Sequence, residues 1–150
     1  ANELRVPIQC HTGLGCLNKT NAIYMREVIS KNPETKFVLF HGSFPWTDDI
    51  LALLHKFPNV YADICWLPLL SPAIAVQTLH AMVEIGTADK ICWGCDTWTS
   101  EESYGARLAV NSVLEEVLNK KVVSGYLSNP DAVLFAENVL YNNAKALYNL

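Results

Sequence analysis

Two histidines and one aspartate occupy equivalent positions in this sequence. His11, His41 and Asp96 each follow a short apolar segment and stand immediately before a loop that contains glycine or threonine. Imidazole and carboxylate groups suit a divalent transition metal, and a zinc ion lowers the pKa of a water molecule that it binds to about 7. Each residue alone also has a structural explanation, as a strand-end histidine or a turn-capping aspartate. Their joint occurrence therefore carries the prediction of a hydrolytic metal site.

The segments around these three residues alternate between strand-like and helix-like patterns. Apolar stretches predict strands at 5–11, 36–41, 60–66 and 90–95, and helices are predicted at 22–30, 48–56, 73–85 and 102–118. A final helical region, 131–150, is interrupted at the pair Asn142 and Asn143. This alternation is typical of parallel βαβ units. We therefore predict one α/β domain over residues 1–150, made of four β/α units and a C-terminal helical extension.

The predicted topology brings the three candidate residues together. Parallel α/β folds place their sites at the carboxyl ends of the strands, where the loops vary freely and helix N-termini converge. We expect His11, His41 and Asp96 to be metal ligands there. The expected cofactor is a divalent metal, with zinc favoured.

Several motifs resemble the amidohydrolase superfamily, and more closely its amidohydrolase-2 branch of metal-dependent hydrolases and decarboxylases. The segments that carry the resemblance are Cys10-His11-Thr12-Gly13, His41-Gly42-Ser43-Phe44-Pro45, Val60-Tyr61-Ala62-Asp63, Gly94-Cys95-Asp96-Thr97 and Asn143-Ala144-Lys145-Ala146-Leu147-Tyr148. The first four are similar to strands five to eight of the family's barrel, and the last to its closing helix. The resemblance thus implies the C-terminal half, (β/α)4, of a TIM-type (β/α)8 barrel.

The resemblance also implies roles for the three residues. His11 and Asp96 would bind metal, and His41 would bind a second metal or polarise the substrate. Asp96 would also take a proton from the attacking water. The family's first-strand His-x-His pair has no counterpart here, because His11, His41, His55 and His80 are too far apart in sequence. The expectation is a fragment with an incomplete site, a poor catalyst alone, that a missing N-terminal half-barrel or a second copy completes.

Four further residues are candidates for substrate binding. Trp46, Trp66 and Trp98 follow the second, third and fourth strands on the expected catalytic face, where aromatic walls suit a planar or sugar-like substrate. Packing over the barrel mouth explains them equally well. Arg107, early in the predicted helix 102–118, could reach an anionic substrate, although a solvated arginine is the commoner case.

Composition narrows the possible partners. The chain is 51% hydrophobic and has a net charge of -4, so it lacks the basic patch that nucleic acid or an anionic membrane requires. The longest apolar runs are too short to span a bilayer. Its five cysteines lack the spacing of a secreted disulfide framework. We expect a soluble cytoplasmic protein with reduced thiols and a small-molecule substrate, and exposed sheet edges favour a homo-oligomer or association with the missing half.

These observations predict a metal-dependent hydrolase that uses a metal-activated water on a small molecule. A uronate-type isomerase or a decarboxylase on the same barrel is an alternative, since fold analogy does not choose a reaction. A non-catalytic half-barrel module is the alternative from a different class.

Overall fold

The computed structural model describes residue 1 and residues 3–150, and its centre is a four-stranded sheet. The strands are β1 (Ile8–Cys10), β2 (Phe37–Leu39), β3 (Val60–Asp63) and β4 (Ile91–Cys92). They pair in the order β1-β2-β3-β4, and every pair is parallel. The predicted α/β class with four parallel strands is confirmed, and the arrangement is that of half a TIM-type barrel.

Helices connect the strands and extend beyond the last one. Their bounds are α1 (Arg26–Lys31), α2 (Thr47–Lys56), α3 (Leu67–Leu70), α4 (Pro72–Glu84), α5 (Ser100–Val123), α6 (Asn129–Glu137) and α7 (Asn143–Tyr148). A 3-10 turn at Ala22–Met25 leads into α1, and a π-helical turn at Asn138–Asn142 joins α6 to α7. The predicted C-terminal helical extension is therefore present, and its irregular turn reaches the Asn142-Asn143 pair.

The main hydrophobic core lies between one face of the sheet and its helices. Parallel strands need cover on both faces, and strand side chains alternate between them. On the helix-covered face, Phe37, Leu39, Val60, Ala62 and Ile91 are almost completely buried. On the opposite face, Val38 and Cys92 form a smaller cluster with Leu147 of α7. The Gln9 side-chain amide also donates to the Tyr148 hydroxyl, over 2.7 Å.

The strands are shorter than the sequence predicted. The predicted third strand ran to Trp66, but β3 ends at Asp63 and the chain turns at Trp66, whose φ is +63°. The short helix α3 follows, with Pro68 in its first turn, and the sequence analysis did not predict it. The site loops therefore begin earlier than the apolar pattern indicated.

Side-chain amides secure the starts of two strands. Asn59, directly before β3, donates to the carbonyl oxygens of Asn32 (3.0 Å) and Thr35 (2.9 Å). Asn143 of α7 donates to the carbonyls of Ala88 and Ile91, both at 2.7 Å.

Among the described helices, none combines the length and apolar character that crossing a bilayer requires.

Candidate metal centre and substrate pocket

His41 lies at the centre of a cluster at the carboxyl end of the sheet. Its Nε2 atom is 3.1 Å from Nδ1 of His11 and 3.9 Å from Oδ2 of Asp96. The His41 side chain is completely buried, whereas the Asp96 side chain is 47% exposed. The three residues that follow strands β1, β2 and β4 thus meet at one imidazole nitrogen.

The loop after β2 fixes His41 through an unusual backbone. His41, Gly42 and Ser43 all have positive φ, between 54° and 61°. For residues with a Cβ atom such conformations cost free energy, and they persist where the surroundings determine them. A Cβ atom at Gly42 would lie 2.8 Å from Leu67 of α3, so glycine allows the two loops to pack closely. The position of His41 therefore depends on contact between neighbouring loops.

The loop after β1 is held against the same region. The Thr12 hydroxyl donates to the carbonyl of Phe40 over 2.8 Å, which ties the end of β1 to the end of β2. Gly13 has a φ of +69°, and a Cβ atom there would lie 2.4 Å from the carbonyl oxygen of Phe44. Only glycine allows this approach. His11 itself is exposed, and these contacts hold it beside His41.

Trp66 links His41 to Asp96. Its ring stacks on the His41 imidazole, with centroids 4.7 Å apart and planes inclined by 28°. Its indole N–H donates to the carbonyl oxygen of Asp96. Asp96 has a φ of +49°, so this hydrogen bond supports a strained turn after β4. The predicted substrate-binding tryptophan thus also orders two of the candidate ligands.

Cys65 contacts the other nitrogen of His41, a relationship that the sequence analysis missed. The Nδ1 atom is 3.3 Å from Sγ and 3.4 Å from the carbonyl oxygen of Cys65. When Nδ1 donates to that carbonyl, the Nε2 lone pair is free to face His11 and Asp96. Residue type carries no signal for this contact, because Cys65 lies beyond the end of β3 and reaches His41 through the turn at Trp66.

Asp63 ties the ends of β3 and β4 together beneath the cluster. Its carboxylate accepts the backbone N–H groups of Cys65 (2.8 Å) and Gly94 (3.0 Å). Burial raises the pKa of Asp63 above its usual value, and these two hydrogen bonds oppose that rise. Asp63 therefore supports the loops that carry Cys65 and Asp96.

Electrostatics favour a neutral His41 and a protonated Cys65. Burial lowers the pKa of His41, and the neighbouring His11 acts in the same direction against the Cys65 hydrogen bond and the Asp96 charge. Burial also raises the pKa of the Cys65 thiol, and the charge of Asp63 adds to that rise. A neutral imidazole is the form that binds a metal.

Two distances between candidate ligand atoms suit a small divalent ion, those from His41 to His11 and from His41 to Asp96. Ligand atoms about 2.1 Å from a tetrahedral zinc lie about 3.4 Å from one another. The distances of 3.1 Å and 3.9 Å from His41 Nε2 to His11 and Asp96 lie on either side of that value. The three ligand atoms that lie within 4.8 Å of one another belong to His41, Cys65 and Asp96, and His11 is not in this group. We favour His11 over Cys65 as the ligand, because Cys65 contacts Nδ1 and a ligating cysteine must be a thiolate.

A pocket of about 410 Å³ lies directly beside Asp96. It is enclosed by the loop and helix after β3 and by the loop and helix after β4. Its lining residues are Trp66, Leu69, Leu70, Asp96, Thr97, Trp98, Glu102 and Gly105. Two of the three predicted tryptophans therefore line it, and Trp98 is 88% exposed.

The remaining candidates lie elsewhere. Trp46 is half-buried at the start of α2, where its backbone N–H donates to the carbonyl of Ser43 over 2.8 Å, and it does not line this pocket. Arg107 is exposed on α5, and its Nε donates to the Asn111 side chain over 3.2 Å. It does not line the pocket either, so the structure does not bring it to the predicted substrate face.

Comparisons with known proteins identify the family and support the fold. The amidohydrolase family model matches residues 1–150. The chain is 31% identical to Protein fluG of Emericella nidulans, over 96% of this chain and 17% of that protein. A crystal structure from Lactobacillus casei, described as a candidate metal-dependent hydrolase, matches with a TM-score of 0.85 and 24% identity. That match covers 98% of this chain and 40% of the other. The chain thus spans less than half the length of either relative, and the structural match supports the fold.

Proposed function

Because this chain belongs to the amidohydrolase family, we propose that it forms part of a metal-dependent hydrolase acting on a small molecule. His11, His41 and Asp96 would hold a divalent metal, with zinc favoured. The observation that carries the proposal is the convergence of the His11 and Asp96 ligand atoms on Nε2 of His41. A structural histidine pair would not require a half-exposed carboxylate beside it.

A bound divalent ion would lower the pKa of a water molecule and polarise the bond to be cleaved. The protein residues would divide the remaining work. Asp96 is the candidate base, because its carboxylate lies at the junction of the cluster and the pocket. Burial favours a neutral His41 by lowering its pKa, and the carbonyl of Cys65 orients the ring. Trp66 and Trp98 would form walls that position the substrate.

We also propose that β1 to β4 correspond to strands five to eight of an eight-stranded barrel. Four parallel strands in sequential order and a match covering 40% of a larger relative support this. The remaining ligands and strands would come from an N-terminal half-barrel or from a second copy of the chain. Two or three protein ligands hold zinc more weakly than a full set. We therefore expect weak metal binding by these 150 residues and full activity only in the completed barrel.

Metal titration of the chain tests the proposal. Isothermal titration with zinc should show one site per chain, and His41→Gln or Asp96→Asn should weaken binding at least about tenfold. His55→Gln is the matched control, because His55 is exposed on α2. Absence of zinc binding, or an equal loss in His55→Gln, would refute the metal centre.

The completed enzyme tests the role of Asp96. Asp96→Asn removes an anionic ligand and the candidate base, so turnover should fall at least about a hundredfold. The free energy of unfolding should change little, because the side chain is half-exposed. Undiminished turnover under metal-saturating conditions would show that Asp96 has another function.

A further inference from the structure

The charges around the pocket indicate which substrates it accepts. Asp96 and Glu102 both contribute carboxylates to its wall, and none of the described residues that line it is a lysine or an arginine. The cation that the sequence suggested for this role, Arg107, bonds to Asn111 outside the pocket. A negatively charged substrate group would therefore meet repulsion without a compensating charge.

The two carboxylates that line the pocket differ in what offsets their charge. Asp96 belongs to the candidate metal centre, so a bound ion would offset its charge. Glu102 lies in the first turn of α5, where its carboxylate accepts the backbone N–H of Trp98 over 2.9 Å. This hydrogen bond leaves the charge of Glu102 in place beside an exposed indole. The Glu102 side keeps its negative potential whether or not a metal is bound.

Most of the other residues that line the pocket are apolar. Leu69 and Leu70 of α3 are each 46% exposed. Gly105 of α5 also lines the pocket and, having no side chain, does not narrow it. Trp66 is held in one orientation by His41 and Asp96. Aromatic faces carry negative potential, so they bind apolar rings and attract cations.

We infer that the pocket binds a planar apolar portion of the substrate that carries no negative charge, and that it prefers a positively charged group near Glu102. The inference rests on the proposed function, because it takes the pocket as the substrate end of that metal site. The bond to be cleaved would lie near Asp96, and the apolar portion would extend between Leu70 and Trp98 toward Glu102. This charge preference separates the pocket from one built for an aromatic acid or a uronate.

Three naphthalene compounds that differ only in charge test the inference. They are 2-naphthylmethylammonium, 2-naphthylmethanol and 2-naphthoate, added to the chain with and without zinc at low ionic strength. Binding is followed by the NMR shifts of the Trp66 and Trp98 indole N–H groups, which also locate the probe. The cation should bind about tenfold more tightly than the anion, with the alcohol between them.

Two neighbouring glutamates provide matched variants. Glu102→Gln keeps the hydrogen bond to Trp98 but removes the charge, so the ratio of cation to anion affinity should fall to about threefold or less. Glu101→Gln removes an equal charge outside the pocket and should leave the ratio near tenfold. Equal or tighter binding of the anion without zinc, no binding of any probe, or equal effects of the two variants would overturn the inference. Since metal-free protein is included, a failure of the metal centre alone would leave these binding ratios unchanged.

Discussion

At the amino end of the sheet, the side chains of Asn59, Lys90 and Asn143 donate to backbone carbonyls, whereas at the carboxyl end the backbone itself is strained. Lys90 donates to the carbonyls of Leu54 and Phe57. Six described residues other than glycine have positive φ, and four of them lie in the loops after β2, β3 and β4: His41, Ser43, Trp66 and Asp96. The amino end thus satisfies polar groups, while the carboxyl end holds reactive side chains in costly conformations.

The two ends of the sheet therefore have different roles: residues at the amino end contribute to stability, and residues at the carboxyl end form the site. Substitutions at the amino end should change the free energy of unfolding without altering the site. Substitutions of ligands at the carboxyl end should alter the site and can even stabilise the fold. The following predictions test that separation.

The largest effect on the free energy of unfolding is expected at Gly13. This residue lies at the carboxyl end, but its substitution should lower stability as well as alter the site. Gly13→Ala places a Cβ atom 2.4 Å from the Phe44 carbonyl oxygen and also adds strain at a φ of +69°. We expect a loss of about 2–4 kcal/mol in the free energy of unfolding, together with weaker zinc binding as His11 moves from His41. Urea unfolding and zinc titration measure the two effects.

Gly125→Ala is the control for Gly13→Ala. Its φ is +74°, but nothing lies within 4 Å of the added Cβ atom, so only the backbone strain of about 1 kcal/mol remains. If the two variants are equally stable, the loops after β1 and β2 are not in close contact.

The next effect is expected at the amino end, from Asn143→Ala. The substitution leaves the carbonyls of Ala88 and Ile91 without their donor in a buried position, which should cost about 1–3 kcal/mol. Zinc affinity should be unchanged. Asn142→Ala is the neighbouring control, because the exposed Asn142 side chain donates to the Asn138 side chain, and it should stay within about 0.5 kcal/mol of the parent. A large loss of zinc affinity in Asn143→Ala would contradict the separation of the two ends.

At Asp96 we expect a smaller effect on the free energy of unfolding, and here glycine should stabilise the fold relative to alanine. Asp96→Gly and Asp96→Ala both remove the carboxylate, but only the alanine variant keeps a Cβ atom at a φ of +49°. The glycine variant should be about 1 kcal/mol more stable than the alanine variant. Both should lose zinc binding. Differential scanning calorimetry compares the two, and a less stable glycine variant would show that Asp96 carries no backbone strain.

The sequence predicts the strands and the edge at which the candidate ligands meet, but not the strained loops at the carboxyl end. Apolar periodicity indicated the four parallel units, since Phe37, Leu39, Val60 and Ala62 alternate with residues of the other face. The positions of His11, His41 and Asp96 after strands indicated a common edge. The contact between Cys65 and His41 could not be predicted, because it depends on the turn at Trp66, whose positive φ has no signal in residue type. The pocket could not be predicted from the sequence either, since α3 and the start of α5 meet only in the folded chain.

The smallest effect concerns Glu84 and Lys121, which join α4 to α5. Helix α4 returns the chain toward the start of β4, so the pair belongs to the amino end. Lys121 is almost completely buried, and its ammonium donates to the exposed Glu84 carboxylate and lies 4.6 Å from the ring centre of Tyr126. The hydrogen bond from Lys121 holds the pKa of Glu84 below its usual value. A glutamate whose pKa is lower in the folded state stabilises the fold at pH values above its unfolded pKa of about 4.3. It loses that contribution as the pH falls through the folded pKa.

Glu84→Gln should therefore lower the Tm at pH 7 by a small amount, and the difference from the parent should shrink toward pH 3, where the parent carboxylate becomes protonated. Thermal unfolding followed by circular dichroism at both pH values measures it. Glu116→Gln is the control, because Glu116 pairs with the exposed Lys120 on the surface of α5, and such pairs contribute little. An equal Tm difference at pH 3 and pH 7 would mean that Glu84 acts through packing, and the charge of this pair would then add nothing to the stability of the amino end.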